Sequence, residues 1–289
     1  MSELRITHTS TVTEDQIDHL GHMNVRYYAV NAGTATRALL AELGWDRAAE
    51  VEAFDMYTRH HREQLLGTHL EVRSGLLGAD TEAIRIYHEL ANAETGDLAA
   101  TFVYRVRTDG PLDHLDTIDL PAHGTPRSID LDASIAAPRL ETVDELGLAM
   151  RAPRVLDAAD TDGSRTVPLH LAPMLIWGGT PSDGSEHVLV HTGPNGEKVG
   201  WATMETRIGV NRLPEVGTRI QSFGATTAIA DKTTQMSMWA YDVDSGELLV
   251  SFEVVSVLFN IDARRAMSIP DDMRAGHAAN LHPELGASV

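Results

Sequence analysis

The alternation of apolar and polar positions changes period twice along the chain. Residues 5–13 (Arg-Ile-Thr-His-Thr-Ser-Thr-Val-Thr) are β-branched and alternate, which predicts a strand. From Val25 to Leu43 the apolar positions fall at Val25, Tyr28, Ala32, Ala35, Leu39 and Leu43, a helical spacing. Asn24 suits the N-cap, and Gly44 suits the positive φ that ends a helix. Gly33 in mid-helix costs about 1 kcal/mol against alanine, so something is expected to pack closely on it. The period then becomes two. Phe54–Leu65, His69–Leu76, Glu82–Ala91 and Leu98–Thr108 read as strands, with a turn at Glu94-Thr95-Gly96-Asp97. A strand, a loop, one long helix and a run of antiparallel strands is an α+β pattern.

The pattern then repeats. Gly67-Thr68 returns as Gly217-Thr218, Thr95-Gly96 as Ser245-Gly246 and Phe102 as Phe252, all 150 residues on. Met56-Tyr57-Thr58-Arg59 finds its match in Met204-Glu205-Thr206-Arg207 at 148, which implies a two-residue insertion near Pro214-Glu215. Strands are expected at Arg219–Ala230, Lys232–Val243 and Glu247–Asn260. The expected organisation is a complete unit over 1–110, an Asp-, Pro- and Ala-rich connector over 111–157, a degenerate copy over 158–270 and a partly mobile tail over 271–289. Two copies in one chain take the place of a homodimer, and the pseudo-dimers could associate further as a homo-oligomer.

Composition removes several classes of function. The 289 residues carry 42 acidic against 23 basic side chains, a formal net charge of −19. That field repels a nucleic-acid backbone, so nucleic acid is not an expected partner. With no cysteine there is no disulfide, catalytic thiolate or Cys-based zinc site. No apolar run reaches the roughly 18 residues of a membrane helix, and the N-terminal residues lack the apolar core of a signal peptide. A cytoplasmic protein without a membrane partner is expected.

The candidate chemistry lies in Asp18-His19-Leu20-Gly21-His22-Met23-Asn24, which runs directly into the helix. Backbone N–H groups at a helix start can receive a developing oxyanion, and a nearby carboxylate can act as general base or as nucleophile. Gly21, Asn24 and Val25 belong to that backbone site. Glu63, in Arg62-Glu63-Gln64, is a second carboxylate on a strand that could pass the same helix start. The plainer alternative is that Asp18 complements the helix dipole and Asn24 only caps it. At a shift of 148, His22 meets His170, but Asp18 meets Thr166, Gly21 Leu169, Asn24 Ala172 and Glu63 Asn211. One site per chain is therefore expected. No metal or cofactor is called for: His19-x-x-His22 offers two ligands, and the adjacent His60 and His61 would point to opposite faces of a strand.

Asp-x-x-Gly-His-Met-Asn-x-x-x-Tyr before a long helix, followed by strands with Arg-Glu ahead of Gly-Thr, resembles the hotdog-fold thioesterases of the 4-hydroxybenzoyl-CoA and acyl-ACP types. The duplicated chain resembles their double-hotdog forms, each half a long helix wrapped by an antiparallel sheet. The resemblance implies hydrolysis of an acyl thioester, with acyl-CoA favoured over acyl-ACP as substrate. Asp18 then matches the family's catalytic aspartate and Tyr28 its tyrosine four positions after the asparagine. Of the plant acyl-ACP enzymes' Asp, Asn, His and Glu, it implies Asp18, His22 and Glu63, with Leu20 at the asparagine position. Asp18 accordingly carries this reading, and His22 stands between a structural and a catalytic role. Arg26, Arg59 and Arg62 are candidates to meet the phosphates of the substrate's pantetheine arm. The rival readings are a non-catalytic acyl-binding protein and a hotdog hydratase or dehydratase.

Overall fold

A computed structural model describes residues 3–18, 20–45, 53–79, 83–107, 116–133, 136–178, 190–193 and 195–286. The chain divides into two compact units, Met1–Arg127 and Ser128–Val289. In the first, β1 (Arg5–Thr11) leads to α1 (Val25–Glu42), then to β2 (Ala53–His60), β3 (His69–Ala79), β4 (Ala83–Asn92) and β5 (Leu98–Arg107). The strands form an antiparallel sheet in the order β1-β3-β4-β5-β2. One end of α1 is capped by the Asn24 side chain, which accepts from the Arg26 amide. At the other end Gly44 takes φ +83°. Tyr28, Ala32, Ala35, Leu39 and Leu40 form the buried stripe, and the helix packs on β1, β3 and β4. Gly33 lies off that stripe. A Cβ there would meet only the Arg37 guanidinium, at 3.9 Å, so close packing against the sheet does not explain this glycine.

Under the helix the core holds a chain of polar groups. The Thr7 and Ser74 hydroxyls are 2.6 Å apart, Ser74 Oγ is 2.6 Å from His88 Nδ1, and His88 Nε2 is 3.0 Å from Thr36 Oγ on α1. Burial holds the His88 imidazole down at about 3 and therefore neutral.

The second unit begins with α2 (Val143–Leu146) and two short edge strands, β6 (Ala149–Met150) and β7 (Arg154–Val155). Helix α3 (Ala172–Trp177) follows, then β8 (Val190–Thr192), β9 (Lys198–Val210), β10 (Arg219–Ile229), β11 (Thr233–Asp242), β12 (Leu248–Asn260), β13 (Arg265–Ala266) and α4 (Asp271–Ala278). Its main strands run in the order β9-β12-β11-β10, with β6 and β7 along β10. This is the order of β2-β5-β4-β3 in the first unit, with β6 and β7 in the place of β1. The spacing is 150 throughout: Leu70↔Asn92 becomes Ile220↔Asp242, Ala83↔Arg107 becomes Thr233↔Val257, and His60↔Ala100 becomes Val210↔Val250. Even the bulges recur, at Leu76/Gly78 and Thr226/Ala228, and at Leu90/Ala91 and Ala240/Tyr241. The expected shift of 148 through the Met-x-Thr-Arg match is therefore corrected. Arg59 and Gly209 are the equivalent pair, opposite Thr101 and Ser251.

Three further expectations change. The described helix of the second unit is not long. It starts at Ala172, with Pro173 in its first turn, and stops at Gly178, whose N–H bonds to Met174 O. Pro173 fixes a helix start, and Gly178 is in extended backbone. Residues 116–157, expected to be connector, are held by both sheets. Ile118 N–H donates to Leu76 O in the first unit, and Trp239 Nε1 donates to Ala136 O in the second. The stretch after Ile269 is likewise packed. Thr226 N–H donates to Asn280 O, His282 N–H donates to Thr226 O, and Leu285 lies in a cluster with Phe223 and Trp239.

Ser222 and Thr226, four residues apart on β10, face the same side of the sheet. Ser222 Oγ donates to Ile176 O at the end of α3, and Thr226 Oγ is 3.3 Å from His277 Nδ1 on α4. Two short helices thus cover the face that one long helix covers in the first unit.

Candidate active site

The loop between β1 and α1 is built around Asp18. The Leu20 amide donates to Asp18 Oδ1 at 2.8 Å and the His22 amide lies 3.4 Å from the same oxygen. The Asp18 N–H donates to His22 O, and the Gly21 N–H to Asp18 O. Gly21 takes φ +88°, which a side chain would resist. The turn brings His22 Nδ1 to 3.4 Å from Asp18 Oδ2. His19 is outside the described residues.

Glu63 approaches from the other side. The sheet pairing of β2 stops at His60, short of the expected end at Leu65, because the His61 and Arg62 amides both turn to Ala99 O. The chain leaves the sheet and crosses the loop, where the Met23 amide donates to Gln64 O at 2.8 Å. Glu63 Oε1 thereby comes within 3.3 Å of His22 Nε2. The imidazole stands between two carboxylates. Asp18 and His22 are 18% and 17% exposed and Glu63 is 42% exposed, so the array opens to solvent at its Glu63 end.

Tyr28 is buried in the first turn of α1, and its hydroxyl donates to Arg62 O at 3.3 Å. Burial pushes its phenol far above the ordinary value, and Gln64, Glu63 and Asp18 act on it as smaller influences. Its ring meets that of His60 edge-on at 5.3 Å. Burial, and then His61, bring the His60 imidazole down to about 4. At the helix start, Asn24 Oδ1 accepts from the Arg26 amide and Asn24 O from the Tyr27 amide. The Val25 amide has no acceptor among the described residues, and Val25 is exposed. An incoming carbonyl oxygen would find that donor beside the array.

The structure thus brings Asp18, Gly21, His22, Asn24, Val25, Tyr28 and Glu63 together. Arg26 is close by, with its guanidinium stacked on the Tyr27 ring at 4.7 Å. Arg59 does not join them. It is buried and donates to His123 O and Thr125 O at 3.1 and 2.9 Å, so its guanidinium is committed to backbone carbonyls and the expected phosphate contact is corrected. Arg62 pairs with Asp97, and the same pair recurs 150 residues on as Arg212 and Glu247, a structural ion pair of the sheet end. Gln64 carries no signal in the sequence, because a buried amide has no signature there, whereas its neighbour Glu63 stands out by its charge.

The vestigial loop also needs correction. Val12 exchanges bonds with Gly67 and Thr68 as Leu156 does with Gly217 and Thr218, and Met23 donates to Gln64 O as Val167 does to Pro214 O. The loop equivalence is therefore 144 residues, not 148. Asp162 stands in the place of Asp18, and Thr166, Leu213 and Pro214 in those of His22, Glu63 and Gln64.

The model of the thioesterase-like superfamily matches residues 12–108, and that of the acyl-ACP thioesterase N-terminal domain matches residues 192–277. The chain is 37% identical over 99 residues to an L-carnitine dehydrogenase/betainyl-CoA thioesterase of Agrobacterium fabrum, covering 32% of this chain and 20% of that protein. It is 28% identical over 120 residues to the betainyl-CoA thioesterase of Pseudomonas aeruginosa, covering 38% of this chain and 76% of that one. The chain thus spans only a fifth of the length of the first relative. Among solved structures it is similar to the 12:0-ACP thioesterase of Umbellularia californica, with a TM-score of 0.60, 8% identity, and 87% and 93% of the two chains covered. An acyl-ACP thioesterase of Bacteroides thetaiotaomicron gives a TM-score of 0.58 at 7% identity, covering 86% of this chain and 96% of that one. At such identities the likeness is one of fold. Each half thus resembles a thioesterase domain in sequence, and the chain resembles acyl-ACP thioesterases in fold.

Proposed function

We propose that the protein is a tandem hotdog that hydrolyses an acyl thioester at one site per chain, in the first half. The observation that carries this is the His22 imidazole between the Asp18 and Glu63 carboxylates, beside the start of α1. Asp18 Oδ1 already accepts from backbone amides, so that carboxylate is fixed and orients the imidazole. The Glu63 end faces solvent and is where a water can be held. That water gives its proton to the array as its oxygen attacks the thioester carbonyl. The developing oxyanion takes the Val25 N–H. The C–S bond then breaks, and the departing sulfur recovers the proton.

Coenzyme A is the carrier we favour, since two relatives bear the name betainyl-CoA thioesterase. A betainyl group is cationic, so the acyl panel should pair betainyl-CoA with neutral short- and medium-chain acyl-CoAs. Release of free thiol from this panel is the test. Exchanging Asp18→Asn should cut turnover by roughly 10²-fold or more, the scale of positioned general-base catalysis. Undiminished hydrolysis in the folded variant would leave Asp18 as a loop-capping residue and remove it from the mechanism, whereas no thiol release from any acyl-CoA of the panel by the parent protein would return the chain to a binding role.

A further inference from the structure

Resting on the site just proposed, we infer that Gln64 is a positioning residue that holds Glu63 against His22 by gripping the peptide in front of it. Beyond His60 the chain leaves the sheet, with the Arg62 N–H still bonded to Ala99 O on β5. Two side chains hold the carbonyl of the same residue. Gln64 Nε2 donates to Arg62 O at 3.2 Å, and the Tyr28 hydroxyl donates to the same oxygen at 3.3 Å. Gln64 O in turn accepts from Met23 in the Asp18 loop. Glu63 therefore lies between two anchored carbonyls, and its own side chain is exposed while the two side chains that grip the preceding peptide are buried. Gln64 is 3% exposed and Tyr28 is 4% exposed.

The second half supplies an independent comparison. There the backbone bond survives, from Val167 N–H to Pro214 O. Position 214 is Pro, which has no amide side chain, and the loop register puts Ala172 where Tyr28 stands. The carboxylate is gone as well, with Leu213 in its place. Had the Gln and Tyr grips served only to close the loop onto the sheet, the second half would still need them, because it closes the same loop. They are absent where there is no carboxylate to aim.

The test is a double-mutant cycle in the full chain, read as thiol release from the best acyl-CoA of the panel. Gln64→Met keeps the volume and removes the donor. It should lower kcat by roughly tenfold, the worth of one hydrogen bond converted at 1.4 kcal/mol per decade, with KM moving less than about twofold. In a Glu63→Gln background the same exchange should cost less than about twofold, because the residue it aims is already disabled. Tyr28→Phe, which removes the other donor to Arg62 O, should behave alike and serves if Gln64→Met does not fold. An equal loss in both backgrounds makes Gln64 a structural residue and overturns the inference, as does full activity in Gln64→Met. Full activity in Glu63→Gln alone is a different failure. It removes Glu63 from the proposed site, and the inference falls with it.

Discussion

The buried His88 chain makes the first half acid-labile in a way that its own counterpart in the second half shows how to cure. His88 is fully buried, with Ser74 and Thr36 on its two nitrogens. Its imidazole is held at about 3, whereas an unfolded chain leaves it near the ordinary 6.5. A base whose folded value is depressed takes up protons preferentially in the unfolded state. The stability it contributes is therefore complete above 6.5, declines as pH falls below 6.5, and keeps declining until about 3. Between pH 7 and pH 5 the loss comes to roughly 2 kcal/mol. At the equivalent positions the second half has Gly224 and Met238, directly paired, and a Cβ on Gly224 would come within 2.9 Å of Met238 Cγ. The double exchange Ser74→Gly with His88→Met copies that solution and removes the titrating group. Native-state hydrogen exchange of the amides of β3 and β4, corrected for intrinsic rates, reports the first half without requiring two-state unfolding of the whole chain. The parent protein should lose about 2 kcal/mol more protection than the double variant on going from pH 7 to pH 5. Equal pH slopes in the two proteins would mean that His88 is protonated without disrupting the chain, and the argument from burial would fail.

Two other exchanges separate structural from functional arginines and glycines. Arg59→Met removes two charge-assisted hydrogen bonds to His123 O and Thr125 O and should destabilise the first half by roughly 2–4 kcal/mol in denaturant titration. KM for acyl-CoA should stay within about twofold, and a tenfold rise would restore the phosphate-binding role. Gly33→Ala places a methyl group where only the flexible Arg37 side chain comes near, and should raise the thermal midpoint through a gain of roughly 1 kcal/mol in helix propensity. A lowered midpoint would show that the position is more crowded than the structure indicates.

Periodicity made the sheet strands and α1 legible, because alternation and the helical stripe are properties of side chains. The ends of elements were less so. The alternation in Phe54–Leu65 continues past the point where strand pairing stops, since what ends β2 is two amides competing for one carbonyl, Ala99 O. The packing of the connector is hidden for a related reason. Asp-, Pro- and Ala-rich sequence looks like linker, yet it is held by backbone carbonyls that accept from Arg59, Arg207 and Trp239. Within the site, the Asp18 loop was visible from its residue types, and the role of His22 was not. His22 gains its place between two carboxylates only because residues 61–64 depart from the sheet, an event written in bonds to Ala99 and Met23.

The two loops also differ in what the proposed site requires. Between Val12 and Met23, and between Leu156 and Val167, the chain has the same length and the same backbone partners at both ends. The second loop retains an aspartate, Asp162, at the position of Asp18. There, however, Asp162 caps a 3-10 helix at φ +49°, is 58% exposed, and lies 3.2 Å from His170, a contact Asp18 does not make. A carboxylate at that point is therefore something the scaffold tolerates in either half and does not by itself make a site. The first half adds a glycine with φ +88° in the turn, an imidazole four residues on, and a second carboxylate gripped from behind by Gln64 and Tyr28. Restoring a site to the second half would accordingly require Thr166→His, Leu213→Glu and the means to hold them, and reinstating a carboxylate alone would achieve nothing because it is already present.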